Sequence, residues 1–454
     1  MWGGSGGSYQ TTGAIENTTG VWDGAVPFVI AAPTSIPNNY AVRALASLVL
    51  KEKLPAIADA VAPGGHDPLD PLDEVERAVF DEATKLGLPV RAWENHEELG
   101  TFHLLMLSHL QIGDENAAEA LAALEVGGEL RFDNRWYLAL HFYHRHQVPT
   151  EPGFYAWDQF RARDGTPTLP QRKVEVGPIV ATNVCGGGTQ TGAITGKVIA
   201  VASLVDADAF PWQADWYRSR VQQSLSNELD DHVRLWYTDN ADHFEEPLEG
   251  PRRKLYVSYV PVLQQALRDL SAWVERGVRP PASTRYEIVD STVVVPARAL
   301  ARRGVQPTVS LLADGLERVE VGVGEPVRFT AAVAVPPETG SIVDVQWELE
   351  GLGTAPSCAD LSPIGPHPVH LATTHAPTPT PAPTWRPRGS ARRARVIPTH
   401  PMPASRTSPV YGWSSTRAPR SEERTHDHAD APHPAAAAPR VARGDAPRDG
   451  CPRP

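Results

Sequence analysis

The sequence predicts an α/β fold with a parallel sheet, followed by a smaller all-β domain. Three observations lead to this prediction. The first is that short apolar runs, typical of strands buried on both faces, end in polar loops. The second is that segments with helical apolar spacing lie between these runs. The third is that, from about residue 284, apolar residues recur with the period of strands. The chain has 454 residues, of which 41% are hydrophobic, so it is long enough for two or three domains with sizeable cores.

The first ten residues contain Gly3-Gly4-Ser5-Gly6-Gly7, which has the form G-x-S-x-G. In this pattern a serine occupies a strained turn between a strand and a helix, and glycines two residues either side allow strand and helix to pass closely. The pattern alone is weak, because Gly/Ser runs also form linkers. A helix over 9–16 and an apolar strand over 25–30 are predicted to follow, which a linker does not explain. Ser5 is therefore the predicted nucleophile, and the N–H of Gly6 is a predicted oxyanion donor.

Two more candidate catalytic residues follow later predicted strands. The run 197–205 predicts a buried strand with Asp206 near its carboxyl end, and Asp208 is the alternative acid. The run 233–237 leads into a loop that contains His243, the predicted base. A serine nucleophile needs an imidazole to take its proton and a carboxylate to hold the imidazole in the right tautomer. Two simpler interpretations stay open: Asp206 could cap the helix that follows, and His243 could be a surface residue.

The sequence resembles the actinobacterial α/β-hydrolases related to tannases and feruloyl esterases. The resemblance extends to about Gly353 and is carried by residues 3–10, 16–24, 204–217 and 242–245. It implies Ser5, Asp206 and His243 as a catalytic triad, and carboxylic-ester hydrolysis more firmly than any particular ester. An amidase or peptidase acting through the same triad stays open.

An α/β-hydrolase normally has several strands before its nucleophile, and a loop there donates a second N–H to the oxyanion. Only Met1 and Trp2 precede the glycine-rich turn in this sequence. We therefore expect an N-terminally truncated chain or a start assigned too late. A catalytically inactive hydrolase and a non-catalytic binding protein are the alternatives to an active esterase.

Residues 31–177 are predicted to form a helical cap inserted into a hydrolase core of residues 1–30 and 178–279. Helical apolar spacing over 38–62, 73–86 and 117–124 supports this prediction. An insertion at this point lies over the carboxyl ends of the strands, where it would roof the substrate pocket. Its second half indicates either a cap core or a pocket for an aromatic acyl or alcohol group, because it is rich in aromatic residues: Phe132, Trp136, Tyr137, Phe142, Tyr143, Phe154, Tyr155 and Trp157.

An amphipathic last helix over 254–278 and a linker over 279–283 are predicted to end the core. Residues 284–353 are then expected to form a β-sandwich, with strands over 288–295, 309–312, 319–323, 327–335 and 342–347. The segments 324–330 and 342–351 resemble a polycystic-kidney-disease-type module. No ligand site is carried over, because Glu348 and Glu350 depart from the aspartate-rich turn of that module.

Residues 354–454 are predicted to be a disordered tail, because proline, alanine and arginine predominate there and large aliphatic residues are few. The abrupt change in composition indicates a frameshift, and a natural Pro/Arg-rich interaction tail is the alternative.

Composition limits the partners of this protein. The formal net charge of −12 argues against nucleic acid, and no apolar run is long enough to span a membrane. The three cysteines are widely spaced, and the histidines at 141, 144 and 146 do not match a zinc signature. We expect a soluble protein with no cofactor, no metal and a small-molecule ester substrate. The oligomeric state stays open, as does the choice between cytoplasm and secretion.

Overall fold

A computed structural model of the chain describes residues 1–32, 36–97, 99, 125–126, 129–130, 190–245, 255–322, 324–342, 345–347, 357–358 and 369–375. In this part of the chain, the main sheet has four parallel strands in the order β1-β2-β5-β6. They are β1 (Trp2–Gly4), β2 (Gly24–Phe28), β5 (Lys197–Ser203) and β6 (Val233–Thr238), and the short strands β3 (Glu125–Val126) and β4 (Glu129–Leu130) pair with each other between them. The predicted α/β class with a parallel sheet is confirmed.

The described helices are α1 (Gly6–Asn17), α2 (Ile36–Val49), α3 (Leu54–Val61), α4 (Glu74–Lys85), α5 (Trp212–Leu225), α6 (Leu229–His232), α7 (Val260–Arg276) and α8 (Ala299–Arg302). Short 3-10 segments cover Lys51–Lys53, Val90–Asn95 and Ser226–Glu228. The helix predicted over 38–62 is therefore interrupted, and the last helix of the core begins at Val260 rather than at residue 254. None of the described helices is both long and apolar enough to cross a membrane.

The parallel sheet is covered on both faces, because side chains alternate along each strand. Along β5, Val198 and Ala200 belong to one buried cluster, whereas Ile199 and Val201 belong to another. Helix α7 covers the second face through Leu263, Ala266, Leu270 and Trp273. Helix α5 and the buried residues of α2, α3 and α4 join the cluster on the first face. The first part of the predicted cap thus shares its core with the sheet.

The second half of the predicted helical cap contains the strand pair β3–β4, and most of its other residues lie outside the described part of the chain. The helix predicted over 117–124, the aromatic residues between 132 and 157, and the histidines at 141, 144 and 146 lie outside the described residues. That residues 31–177 roof a substrate pocket stays a prediction.

The predicted linker over 279–283 instead runs beside β6. Leu235 accepts a hydrogen bond from the N–H of Thr284 at 2.9 Å and donates its own N–H to Ser283 Oγ at 3.1 Å. The N–H of Tyr237 donates to Thr284 Oγ1 at 3.0 Å. These bonds satisfy backbone groups along the outer edge of β6, which is a common way to protect an edge strand.

Three of the predicted strands differ from the observed ones, and among the described residues of 342–347 only Gln346–Trp347 is a strand. The strand predicted over 288–295 is a hairpin of β7 (Glu287–Val289) and β8 (Thr292–Val294), because Asp290 and Ser291 both adopt positive φ and form a turn. Residues 319–322 form no strand. The carboxylate of Glu325 accepts the N–H of Gly322 at 2.8 Å, and Gly324 has φ 84°, so a turn replaces the predicted pairing.

A three-stranded antiparallel sheet has the order β13-β10-β9, from β9 (Thr308–Ala313), β10 (Val327–Ala334) and β13 (Val369–His375). The short pair β11 (Gln346–Trp347) and β12 (Ser357–Cys358) contributes Trp347 to a cluster with Ala331 and Val333 of β10. A complete sandwich over 284–353 stays a prediction.

The predicted disordered tail needs a correction at 357–358 and 369–375, which are strands. β13 pairs with β10 at seven positions, so a strand lies inside a segment that was expected to be unstructured. Composition averaged over a hundred residues hides this strand, because its Val-His-Leu-Ala-Thr-Thr-His sequence contains no proline while proline recurs on both sides of it. The remainder of 354–454 lies outside the described residues.

Replacing Gly4 by alanine is expected to destabilise the protein by about 1–3 kcal/mol, because it overpacks a filled site. A Cβ atom at Gly4 would lie 2.2–2.7 Å from three atoms of the Phe28 ring, and that ring is buried between Trp2 and Tyr259. The control is Gly13→Ala in α1, where a Cβ atom meets nothing within 4 Å. It should stabilise the helix by about 0.5–1 kcal/mol. Urea unfolding of both variants measures the difference, and equal shifts would contradict the steric explanation.

Candidate active site

Ser5 occupies a sharp turn between β1 and α1. Its backbone has φ 54° and ψ −120°, a conformation that costs free energy for a residue with a side chain. The N–H of Ser5 donates to the carbonyl of Phe28 at 3.2 Å, which ties the turn to β2. A serine at a helix start usually caps the helix with its hydroxyl, but Ser5 makes no such bond. Its Oγ therefore does not cap the helix.

The two outer glycines of the turn have different roles. A Cβ atom at Gly3 would lie 2.6 Å from the carbonyl oxygen of Gly7 and 2.7 Å from Thr11 Oγ1, so this glycine allows β1 and α1 to approach closely. A Cβ atom at Gly7 would meet nothing within 4 Å. The expectation that both glycines are sterically required is therefore wrong for Gly7, because the close contact between β1 and α1 is at Gly3, on the strand side of the turn.

Asp206 lies in the acid loop, residues 204–209, directly after β5. It is fully buried, and its Oδ1 accepts the backbone N–H groups of Asp208 at 2.8 Å and Ala209 at 2.7 Å. Bonds of this kind hold an ionised carboxylate in one orientation. Because both N–H donors belong to the acid loop itself, they also fix the direction in which Asp206 Oδ2 points.

His243 lies in the histidine loop, residues 239–245, directly after β6. The two loops are tied together, because the N–H of Val205 donates to the carbonyl of Ala241 at 3.0 Å. The hydroxyl of Tyr259, which precedes α7, donates to the carbonyl of His243 at 3.2 Å. Adjacent parallel strands thus bring two distant loops to the same edge of the sheet.

The three side chains form one hydrogen-bonded chain. His243 Nε2 lies 2.9 Å from Ser5 Oγ, and His243 Nδ1 lies 2.9 and 3.0 Å from Asp206 Oδ2 and Oδ1. An ionised carboxylate only accepts, so Nδ1 carries a proton, and in the neutral ring Nε2 then accepts from the serine hydroxyl. The carboxylate of Asp208 forms an ion pair with Arg43 instead.

The surroundings of His243 favour its charged form. Burial is the largest single influence and opposes the charge, but the charge and hydrogen bond of Asp206, together with Asp208 and Asp242, outweigh it and raise the pKa of His243 from 6.5 to about 9. The side chain is only 11% exposed, so water screens these charges weakly. The site therefore stabilises the imidazolium that forms when His243 accepts a proton.

Gly6 begins α1 immediately after Ser5. N–H groups in the first turn of a helix have no acceptor within the helix, and the helix dipole places partial positive charge there. That the N–H of Gly6 is an oxyanion donor stays a prediction, which this position at the start of α1 favours.

Sequence reasoning missed Asn39 and Arg43 of α2, which both contact the acid loop. Asn39 Nδ2 donates to the carbonyl of Asp208 at 3.0 Å, and Arg43 Nη1 donates to the carbonyl of Ala207 at 2.8 Å. A signal was present in the sequence, because two polar residues four apart interrupt the apolar face of an amphipathic helix. Among the described residues, no group of three or more His, Cys, Asp or Glu side chains could hold a metal ion.

No protein-family model matches the chain, and no curated protein sequence matches it. Feruloyl esterase B from Aspergillus oryzae is similar in structure with 15% identity and a TM-score of 0.27, over 63% of this chain and 61% of that protein. An esterase from Aspergillus oryzae has 14% identity and a TM-score of 0.24, over 64% of this chain and 62% of that one. Tannin acyl hydrolase from Aspergillus niger has 11% identity and a TM-score of 0.29, over 80% and 64%.

The chain spans less than two thirds of the length of each of these proteins. Likeness at this level identifies neither a family nor an activity for this chain, so the function has to be inferred from the geometry of the site.

Proposed function

We propose that this protein is a serine hydrolase of the α/β-hydrolase type that cleaves carboxylic esters through an acyl-enzyme. The observation that carries the proposal is the hydrogen-bonded chain from Ser5 through His243 to Asp206. Each of the three follows a strand of one parallel sheet, and their order along the chain, Ser, Asp, His, is the order of α/β-hydrolases. The strained turn at Ser5 adds to the case, because such strain is typical of a nucleophile held exposed for attack.

In the proposed reaction, Ser5 Oγ attacks the ester carbonyl carbon while His243 Nε2 takes its proton. The carbonyl oxygen gains negative charge and accepts the N–H of Gly6. Asp206 stays ionised and stabilises the imidazolium. His243 then gives its proton to the leaving alcohol, and the acyl group remains on Ser5. Water attacks this acyl-enzyme with His243 again as the base, which releases the carboxylic acid.

The test is to incubate the full chain with a fluorophosphonate and to measure its intact mass. We expect one adduct, and peptide mapping should place it at Ser5, because this reagent reacts with activated serines whatever the natural substrate. Esters of aromatic and aliphatic acids are then compared as substrates. A folded chain that gains no adduct and hydrolyses none of these esters would contradict the proposal.

The rate of labelling is expected to rise about tenfold between pH 7 and pH 8 and to level off above about pH 9. The reason is that only neutral His243 can accept the proton of Ser5, and its raised pKa of about 9 keeps most of the protein in the imidazolium form at neutral pH. Rates measured from pH 6 to pH 10 test this, with His243→Gln as the control for reaction with the bare hydroxyl. A plateau already reached at pH 7 would show that the neighbouring carboxylates do not hold the charge on His243.

A further inference from the structure

The pair Arg43–Asp208 is an unusual feature next to the proposed triad. Arg43 Nη1 lies 2.5 Å from Asp208 Oδ1, and the two side chains are only 3% and 6% exposed, the most buried arginine–carboxylate pair among the described residues. Burying two charges costs desolvation free energy that their attraction offsets only in good geometry. A pair of this kind is weak evidence for stability, so a different role has to be considered.

Arg43 contacts the acid loop at two positions. Its Nη1 donates to the carbonyl of Ala207 and to the carboxylate of Asp208, and Asn39, one turn earlier on α2, donates to the carbonyl of Asp208. From the opposite side, the N–H of Asp208 donates to Asp206 Oδ1. The loop is therefore held between α2 and the carboxylate that orients His243.

The charges around His243 also involve Arg43. The carboxylates that favour a proton on His243 are Asp206 and Asp208 from the acid loop and Asp242 from the histidine loop. Asp242 stands next to His243 in the chain, and the uncharged hydroxyl of Tyr259 faces the carbonyl of His243. Arg43 is the cation paired with Asp208, so it offsets one of these three negative charges.

We propose that Arg43 is a positioning residue that holds the acid loop around Asp206 and offsets the charge of Asp208 beside His243. The inference rests on the proposed function, since it assigns Arg43 a role toward the orienting acid and the base of that hydrolase. Helix α2 thereby couples the segment inserted between β2 and β5 to the proton transfer. Without the positive charge of Arg43, the carboxylate of Asp208 would hold the proton on His243 more tightly, and fewer molecules would have a neutral His243 at neutral pH.

The test is a titration of His243 by NMR in the full chain labelled with 13C-histidine, which needs no substrate. The signal of His243 is identified by its absence in His243→Gln. We expect Arg43→Met to raise the pKa of His243 by roughly one unit and Asp208→Asn to lower it by a similar amount, the size of effect that one nearby charge produces. The double variant Arg43→Met/Asp208→Asn should titrate near the parent, because it removes both charges.

The double variant also distinguishes the effect of Arg43 on the position of the acid loop from the effect of its charge on His243. It keeps the inference testable if Arg43→Met does not fold. We expect it to react with the fluorophosphonate about tenfold more slowly than the parent at pH 10, where His243 is neutral in both, because the acid loop has lost its anchor. Titration curves that superimpose in parent and Asp208→Asn, with unchanged labelling of the double variant, would overturn the inference. If the parent titrates but gains no adduct, the proposed hydrolase function fails, while the NMR comparison still decides the role of Arg43.

Discussion

Replacing Ser5 by alanine is expected to abolish fluorophosphonate labelling and to lower ester turnover by about four to six orders of magnitude. The nucleophilic oxygen is removed, and loss of the serine in such a triad costs about as much as loss of the whole unit. The fold should survive, because the backbone bond from Ser5 to Phe28 remains and only the contact with His243 is lost. The free energy of unfolding should therefore change by about 1 kcal/mol.

Ser8→Ala is the matched control for this experiment. Ser8 lies one helical turn away and is buried, and its hydroxyl donates to the carbonyl of Ser5 at 2.6 Å rather than to a base. The variant loses one hydrogen bond and keeps the nucleophile, so labelling should persist. Labelling that survives in Ser5→Ala, or that disappears in Ser8→Ala with an intact fold, would remove Ser5 from its proposed role.

Replacing Asp206 by asparagine is expected to lower kcat by about four orders of magnitude with little change in the overall fold. The Oδ1 of asparagine can still accept the two N–H groups of the acid loop, whereas its amide would face His243 Nδ1 as a donor. The imidazole would then carry its proton on Nε2 and could not accept one from Ser5. The variant also loses the charge that stabilises the imidazolium, so its pH profile should move toward the ordinary histidine pKa of about 6.5.

Asp242→Asn is the control for Asp206→Asn. Asp242 also raises the pKa of His243, but it does so through its charge, whereas Asp206 acts through both its charge and a hydrogen bond to the ring. We expect its removal to shift the pH profile slightly toward lower pH and to change kcat by less than about tenfold. Comparable losses in the two variants would mean that net charge, and not the orientation of the imidazole, explains the role of Asp206. Kinetic profiles with one ester from pH 6 to pH 10 decide between these explanations.

The sequence indicated the candidate site because its parts are local. Gly3-Gly4-Ser5-Gly6-Gly7 marks a turn between a strand and a helix, and two apolar runs followed by Asp206 and His243 mark strand ends that face one edge of a parallel sheet. Apolar runs are reliable in this setting, because strands buried on both faces admit few polar residues. Ends of elements were less well predicted, as the later start of α7 shows.

Local patterns failed where pairing between distant segments decides the structure. β13 forms because β10 offers a backbone edge, although its surroundings are rich in proline, and residues 319–322 stay unpaired although valine alternates there. Residues 279–283 were predicted as a linker and residue 284 as the start of the β-sandwich, whereas Ser283 and Thr284 cover the edge of β6. For β13 and for the cover of β6, the free energy comes from a hydrogen-bonding partner far away in the chain, whereas at 319–322 a local turn between Gly322 and Glu325 takes the place of strand pairing.

By itself, the sequence determined the chemistry that the site can offer: a serine in a strained turn, an imidazole and carboxylates in the order Ser, Asp, His. Only the tertiary structure decided which carboxylate contacts His243. Asp206 and Asp208 are two residues apart and chemically identical, and in the structure Asp208 pairs with Arg43 of α2, whereas Asp206 contacts His243 Nδ1. The physical reason is that a buried charge needs a partner, and the partner of Asp208 lies 165 residues earlier in the chain.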